Sequence, residues 1–73
     1  MIKVGQKIRF DPFHGVGSYG LGACHKKVEG TVTMVYPEHR YFTAEYEMGE
    51  RKFLISFNFV DVYGEKAFVQ LVH

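Results

Sequence analysis

An all-β fold is what this sequence predicts: one small domain of five short strands around an aromatic interior. Three observations carry that prediction. Apolar residues recur with period two in successive segments, the alternation of a strand buried on one face. Between those segments stand residues that turn a chain, Pro37 and Gly49 among them. No segment carries an i, i+3, i+4 apolar stripe long enough for a real helix.

The first strand is read over Val4 to Phe10, with Val4, Ile8 and Phe10 inward if Gly5-Gln6 form a kink or bulge. Asp11 to Lys26 is a long loop, marked by Pro12, Gly15, Gly17, Gly20 and Gly22. Lys27 to Tyr36 alternates Val28, Val32, Met34 and Tyr36 against Glu29, Thr31 and Thr33. Pro37-Glu38-His39 is a short turn in which proline fixes φ and removes a ladder donor. Arg40 to Met48 puts Phe42, Ala44, Tyr46 and Met48 on one side, and Gly49-Glu50 supplies a tight hairpin. Arg51 to Phe59 sets Phe53, Ile55, Phe57 and Phe59 opposite Lys52, Leu54, Ser56 and Asn58. A short 3₁₀ turn fits between Phe59 and Glu65, and Ala67, Val69 and Leu71 share a face of the closing strand.

A chain of 73 residues makes a single domain, residues 1–73, with little interior. Seven Phe and five Tyr answer that shortage, since each ring removes much apolar area per residue ordered. Nine Lys and Arg against eight Asp and Glu leave a formal charge of +1, far from the basic excess of an electrostatically driven nucleic-acid or membrane-surface binder. Apolar runs are too short for a membrane span, and Met1 to Lys7 lacks the apolar stretch of a signal peptide. Cys24 is the one cysteine, which excludes an internal disulfide and fits a reducing cytoplasm, the location expected on these grounds.

Five strands, a long first loop and a turn before the last strand give the order of an SH3-like barrel. Val4-Gly5-Gln6-Lys7-Ile8-Arg9-Phe10, followed by Glu29-Gly30-Thr31-Val32, resembles the opening of SH3-like and KOW-type barrels. Ser56-Phe57-Asn58-Phe59-Val60 is similar to the segment that leads such barrels through their 3₁₀ turn. The fold expected is therefore a small five-stranded SH3-like barrel with a long glycine-rich first loop. An OB-like barrel is the structural alternative, but it ordinarily needs a longer chain and a helix between its third and fourth strands.

Candidate chemistry is sparse. Gly15-Val16-Gly17-Ser18-Tyr19-Gly20 matches the spacing of a dinucleotide fingerprint, yet Cys24-His25-Lys26-Lys27 and a strand follow it where that mechanism needs a helix N-terminus. His14, Cys24, His25 and His39 are residue types that ligate zinc. They are the candidate metal set on the expectation that the long loop and the Pro37 turn flank one end of the sheet, with Asp11 or Glu38 as further donors. A structural zinc would order the glycine-rich loop. Against it stand the single thiol and the adjacency of Cys24 and His25, which point apart in extended chain. Pairing Cys24 with a histidine for nucleophilic catalysis requires a water-excluding cavity that so small a barrel hardly encloses. Glu45 and Glu47 read as a solvated acidic face. A non-enzymatic protein is expected.

Aromatic residues outside the inward sets carry more weight: Phe13, Tyr19, Tyr41, Tyr63 and Phe68. Exposed rings on a small protein mark a partner site, unless the loop folds down as a lid. Phe13, Tyr19, Leu21, His39, Arg40 and Tyr41 form the expected partner-binding set. Lys7, Arg9, Lys26, Lys27 and Lys52 form the competing nucleic-acid set, since KOW-type barrels bind RNA or DNA. Gly5 to Phe13 and Arg40 to Tyr46 also resemble the short barrel proteins encoded by bacteriophages and mobile elements. That resemblance implies a binding protein that sterically blocks a host defence protein, such as an anti-CRISPR inhibitor of a CRISPR nuclease. The chain is expected to be a monomer or a weak homodimer, the latter through an exposed strand edge pairing across a two-fold.

Overall fold

The alternation in the sequence becomes one antiparallel sheet. Its strands are Lys7–Phe10 (β1), Val28–Tyr36 (β2), Tyr41–Met48 (β3), Arg51–Asn58 (β4) and Gln70–Val72 (β5), in the spatial order β4-β3-β2-β1-β5. The computed structural model describes residues 1–12 and 27–72. A 3₁₀ turn, Pro37–His39, joins β2 to β3, and a single helical turn, Val60–Tyr63 (α1), follows β4. The chain is thus nearly all-β, as the periodicity predicts. A meander of β1 to β4, with the last strand returning to pair with the first and a helical turn before it, is the strand order expected of an SH3-like barrel. Among the described residues β4 and β5 are not paired with each other, so hydrogen bonds do not close the sheet.

The core is the inner face of this sheet. Ile2, Ile8, Phe10, Val32, Phe42, Ala44, Phe57 and Val69 are buried, with Val28, Val35, Tyr46, Ile55, Phe59, Val62, Phe68 and Leu71 packed against them. Aromatic rings link the strands edge to face, a favourable arrangement for their quadrupoles. Phe10 meets Tyr46 at 5.3 Å and Phe57 at 4.9 Å, and Phe57 meets Phe68 at 5.8 Å. Gly30 makes the first of these contacts geometrically allowed: a Cβ there would stand 3.0 Å from both the Glu45 carbonyl oxygen and the Phe10 ring. A larger residue there would have to push back the β3 backbone or the Phe10 ring.

The structure corrects the expected inward sets at their ends. At the N-terminus the kink occurs, but as a tight turn with Gly5 at φ +91° and the Gln6 amide donating to the Lys3 carbonyl at 3.0 Å. The reversal turns Ile2 into the core and leaves Val4 exposed. In β2 the pairing passes from Val32↔Ala44 directly to Met34↔Thr43, so Thr33 is an extra residue, a β-bulge. Because side chains alternate, one inserted residue reverses the phase of everything after it. Met34 and Tyr36 therefore face outward, and Val35, paired with Phe42, takes the core position. The Thr33 hydroxyl lies 3.0 Å from that of Thr43, an outer-face hydrogen bond at the bulge. Met48 and Ala67 are exposed rather than inward, and Phe68, expected on the surface, packs on the core.

Candidate functional site

Tyr36 and Tyr41 are directly opposite each other where β2 turns into β3. Their rings stack at a centroid separation of 4.6 Å and an interplanar angle of 23°. The His39 ring lies 6.3 Å from that of Tyr41. Pro37, Glu38, His39 and Arg40 are all exposed, while the two tyrosines are half-buried against one another. Two half-buried phenols thus stand beside an exposed turn that carries an imidazole and a guanidinium.

Arg40 is held there by its backbone. It is the one non-glycine residue with positive φ among those described, at φ 58° and ψ 39°. A side chain in that left-handed region costs about 1 kcal/mol, which is why glycine ordinarily ends a helical turn. Here the Arg40 amide donates to the Pro37 carbonyl at 3.2 Å, and its carbonyl accepts from the Phe59 amide at 2.9 Å. The first bond closes the turn, the second ties it to the end of β4, and together they fix the backbone from which the arginine projects.

Of the expected partner-binding residues, His39, Arg40 and Tyr41 come together here. Phe13, Tyr19 and Leu21 lie outside the described residues. Tyr36 belongs to the cluster but was assigned to the core by its period. Its only sequence signal is a second tyrosine five positions from Tyr41 across a proline turn.

The long loop and this turn were expected to flank one end of the sheet, but the strands anchor them at opposite ends of β2. The β1–β2 connection leaves at Phe10 and returns at Val28, which are paired with each other. The Pro37 turn lies at the far end of β2, roughly 25 Å away along the strand at 3.3 Å per residue. His39 accordingly stands at the opposite end of β2 from the anchor points of that connection. His14, Cys24 and His25 are outside the described residues, and among the described ones no group of His, Cys, Asp or Glu is arranged to hold a metal ion.

Of the basic candidates, Lys7, Arg9 and Lys52 lie on the outer face away from the aromatic turn, interleaved with acids. Lys7 donates to the Thr31 hydroxyl at 2.7 Å, the Arg9 guanidinium stands 4.0 Å from the Glu29 carboxylate, and Lys52 is 3.7 Å from Glu45. Lys27 is exposed just before β2, and Lys26 is outside the described residues. Such surface pairs stabilise the fold little. Their effect is on the field: positive groups alternate with negative ones instead of merging into a stripe that would follow a phosphate backbone. Tyr63, at 55% exposure, stands apart on α1. No helix among the described residues is long and apolar enough to cross a membrane.

No family model matches this chain, and neither the curated proteins nor the solved structures contain a match to it.

Proposed function

We propose that this chain is a non-enzymatic binding module whose partner is a protein, and that the Tyr36–Tyr41 stack with His39 and Arg40 is its contact surface. The observation that carries this reading is Arg40, exposed and kept in a left-handed conformation beside the half-buried Tyr36–Tyr41 stack. Strain of that kind persists where the surrounding bonds over-determine it, and it clusters at sites of function. Tyrosine and arginine are also the residue types that dominate binding energy at protein interfaces, through rigid rings and a planar fork of donors. In its sharper form, following the phage-type resemblance, the module is an inhibitor that occupies a surface a host defence protein, such as a CRISPR nuclease, needs for nucleic acid or for movement.

The nucleic-acid alternative has less support, because Arg9 and Lys52 are each set against a carboxylate. Capture from host lysate, with and without nuclease, separates the two readings. The protein reading expects a partner that survives nuclease and is lost with Tyr36→Ala/Tyr41→Ala. Loss of all captured material on nuclease treatment establishes the alternative instead. Addition of the purified protein to a DNA-cleavage reaction by the captured nuclease then tests the inhibitory form: cleavage falls, or that form is discarded.

A further inference from the structure

Among the described residues β4 is an edge of the sheet, and its hydrogen-bonding pattern can be read residue by residue. The Phe59 amide donates to the Arg40 carbonyl on the β3 side at 2.9 Å, whereas the Asn58 amide points away and donates to the Asp61 carboxylate at 2.9 Å. Pairing of β3 with β4 runs from Tyr41↔Asn58 to Met48↔Arg51 without a register shift. Backbone groups in an antiparallel pair alternate strictly between the partner strand and the other side. Arg51, Phe53, Ile55 and Phe57 therefore bond to β3, and Lys52, Leu54 and Ser56 direct their amides and carbonyls outward. The Asp61 carboxylate closes the edge at Asn58. What remains open among the described residues is a stretch centred on Leu54.

Edges that must stay alone are ordinarily blunted by bulges, prolines, outward charges or brevity. The other edge of this sheet, β5, is a strand of only three residues. β4 is eight residues long, unbulged and free of proline, and its central outward side chain is a leucine 72% exposed to solvent. Phe53, beside it on the inner face, is 40% exposed.

We infer that β4 pairs antiparallel with β4 of a second copy of this chain across a two-fold axis at Leu54. This register uses every open group: Leu54 exchanges both bonds with its own counterpart, and Lys52 does so with Ser56 of the second copy. A shift by two residues either brings the capped Asn58 amide into the ladder or sets Ser56 against Glu50 of the turn, losing that match either way, and a shift by one places outer-face side chains opposite inner-face ones. On the outer face leucine meets leucine, and each lysine meets a serine. On the inner face Phe53 meets Ile55 of the second copy. No like charges stand opposite each other, and the two five-stranded sheets become one continuous sheet. The aromatic turn lies beyond the Asp61 cap, outside the paired stretch.

Sedimentation velocity from micromolar to millimolar concentration, with amide hydrogen exchange at both ends of that range, tests this. The wild-type mass rises towards two chains, and Leu54→Lys, which puts like charges on the axis, weakens association by about tenfold or more. Ser56→Pro removes an outward amide without touching a β3 bond and weakens association as well, while both variants keep the wild-type circular dichroism. Exchange at Lys52, Leu54 and Ser56 slows as concentration rises, and Phe53, Ile55 and Phe57 are protected throughout. A chain that stays monomeric, a dimer that survives both substitutions, or concentration-dependent protection confined to other residues overturns the pairing.

Discussion

Tyr36 lies flat against Tyr41, with ring centroids 4.6 Å apart, because the extra residue at Thr33 has carried it from the inner face of the sheet to the outer one. One inserted residue both completes the core, by sending Val35 inward, and builds the tyrosine stack on the outer face, by sending Tyr36 outward. The core and the candidate site share a single local cause.

That cause predicts opposite outcomes at adjacent positions. Met34, 49% exposed, faces solvent, so Met34→Lys changes stability by no more than about 0.5 kcal/mol in urea unfolding. Val35 packs on the core, so Val35→Lys costs more than about 2 kcal/mol, through lost burial and an unpaired charge. Reversed sensitivities place the bulge elsewhere.

Arg40 separates stability from binding. Arg40→Gly relieves the left-handed strain at φ 58° and raises thermal stability by up to about 1 kcal/mol. It also removes the guanidinium from the contact surface, so partner affinity falls by about tenfold or more. A substitution that stabilises the fold while weakening binding is the signature of a residue kept for contact.

Gly30→Ala has no such compensation. Its Cβ would meet the Glu45 carbonyl and the Phe10 ring at 3.0 Å, and one of those neighbours belongs to the backbone of β3. Chemical denaturation shows a loss of about 1–3 kcal/mol, the cost of overpacking a well-filled core.

Asp61→Ala acts on two observables at once. The loss of its hydrogen bond to the Asn58 amide lowers stability by about 1 kcal/mol. It also uncovers the Asn58 amide, which admits the register shifted by two residues, so concentration-dependent exchange protection extends to Asn58 while the monomer becomes easier to melt.

The strands were legible in the sequence because period two survives in nearly every segment: Phe42 and Ala44 in β3 and Ile55 and Phe57 in β4 face the core as their alternation predicts. The bulge was not, since Thr33 fits an unbroken alternation as well as an interrupted one and only the pairing with β3 reveals it. Ile2 escaped for a related reason: a reversal at Gly5 inverts the phase of the residues before it. At the candidate site, His39, Arg40 and Tyr41 were visible as polar and aromatic residues beside a proline turn, whereas the strain at Arg40 is a tertiary property, set by bonds to Pro37 and Phe59. The anchors of the long loop, Phe10 and Val28, lie at the opposite end of β2 from His39, because successive connections of a meander do, and the loop's own candidate ligands lie outside the described residues.

Calorimetric titration of the captured partner against wild type, Tyr36→Ala/Tyr41→Ala and Lys7→Ala/Lys27→Ala tests the central claim most directly. The account predicts that the tyrosine pair loses at least a hundredfold in affinity, about 2.7 kcal/mol, while the lysine pair stays within a fewfold of wild type. A binding site that ignores the tyrosines and collapses with the lysines would contradict it.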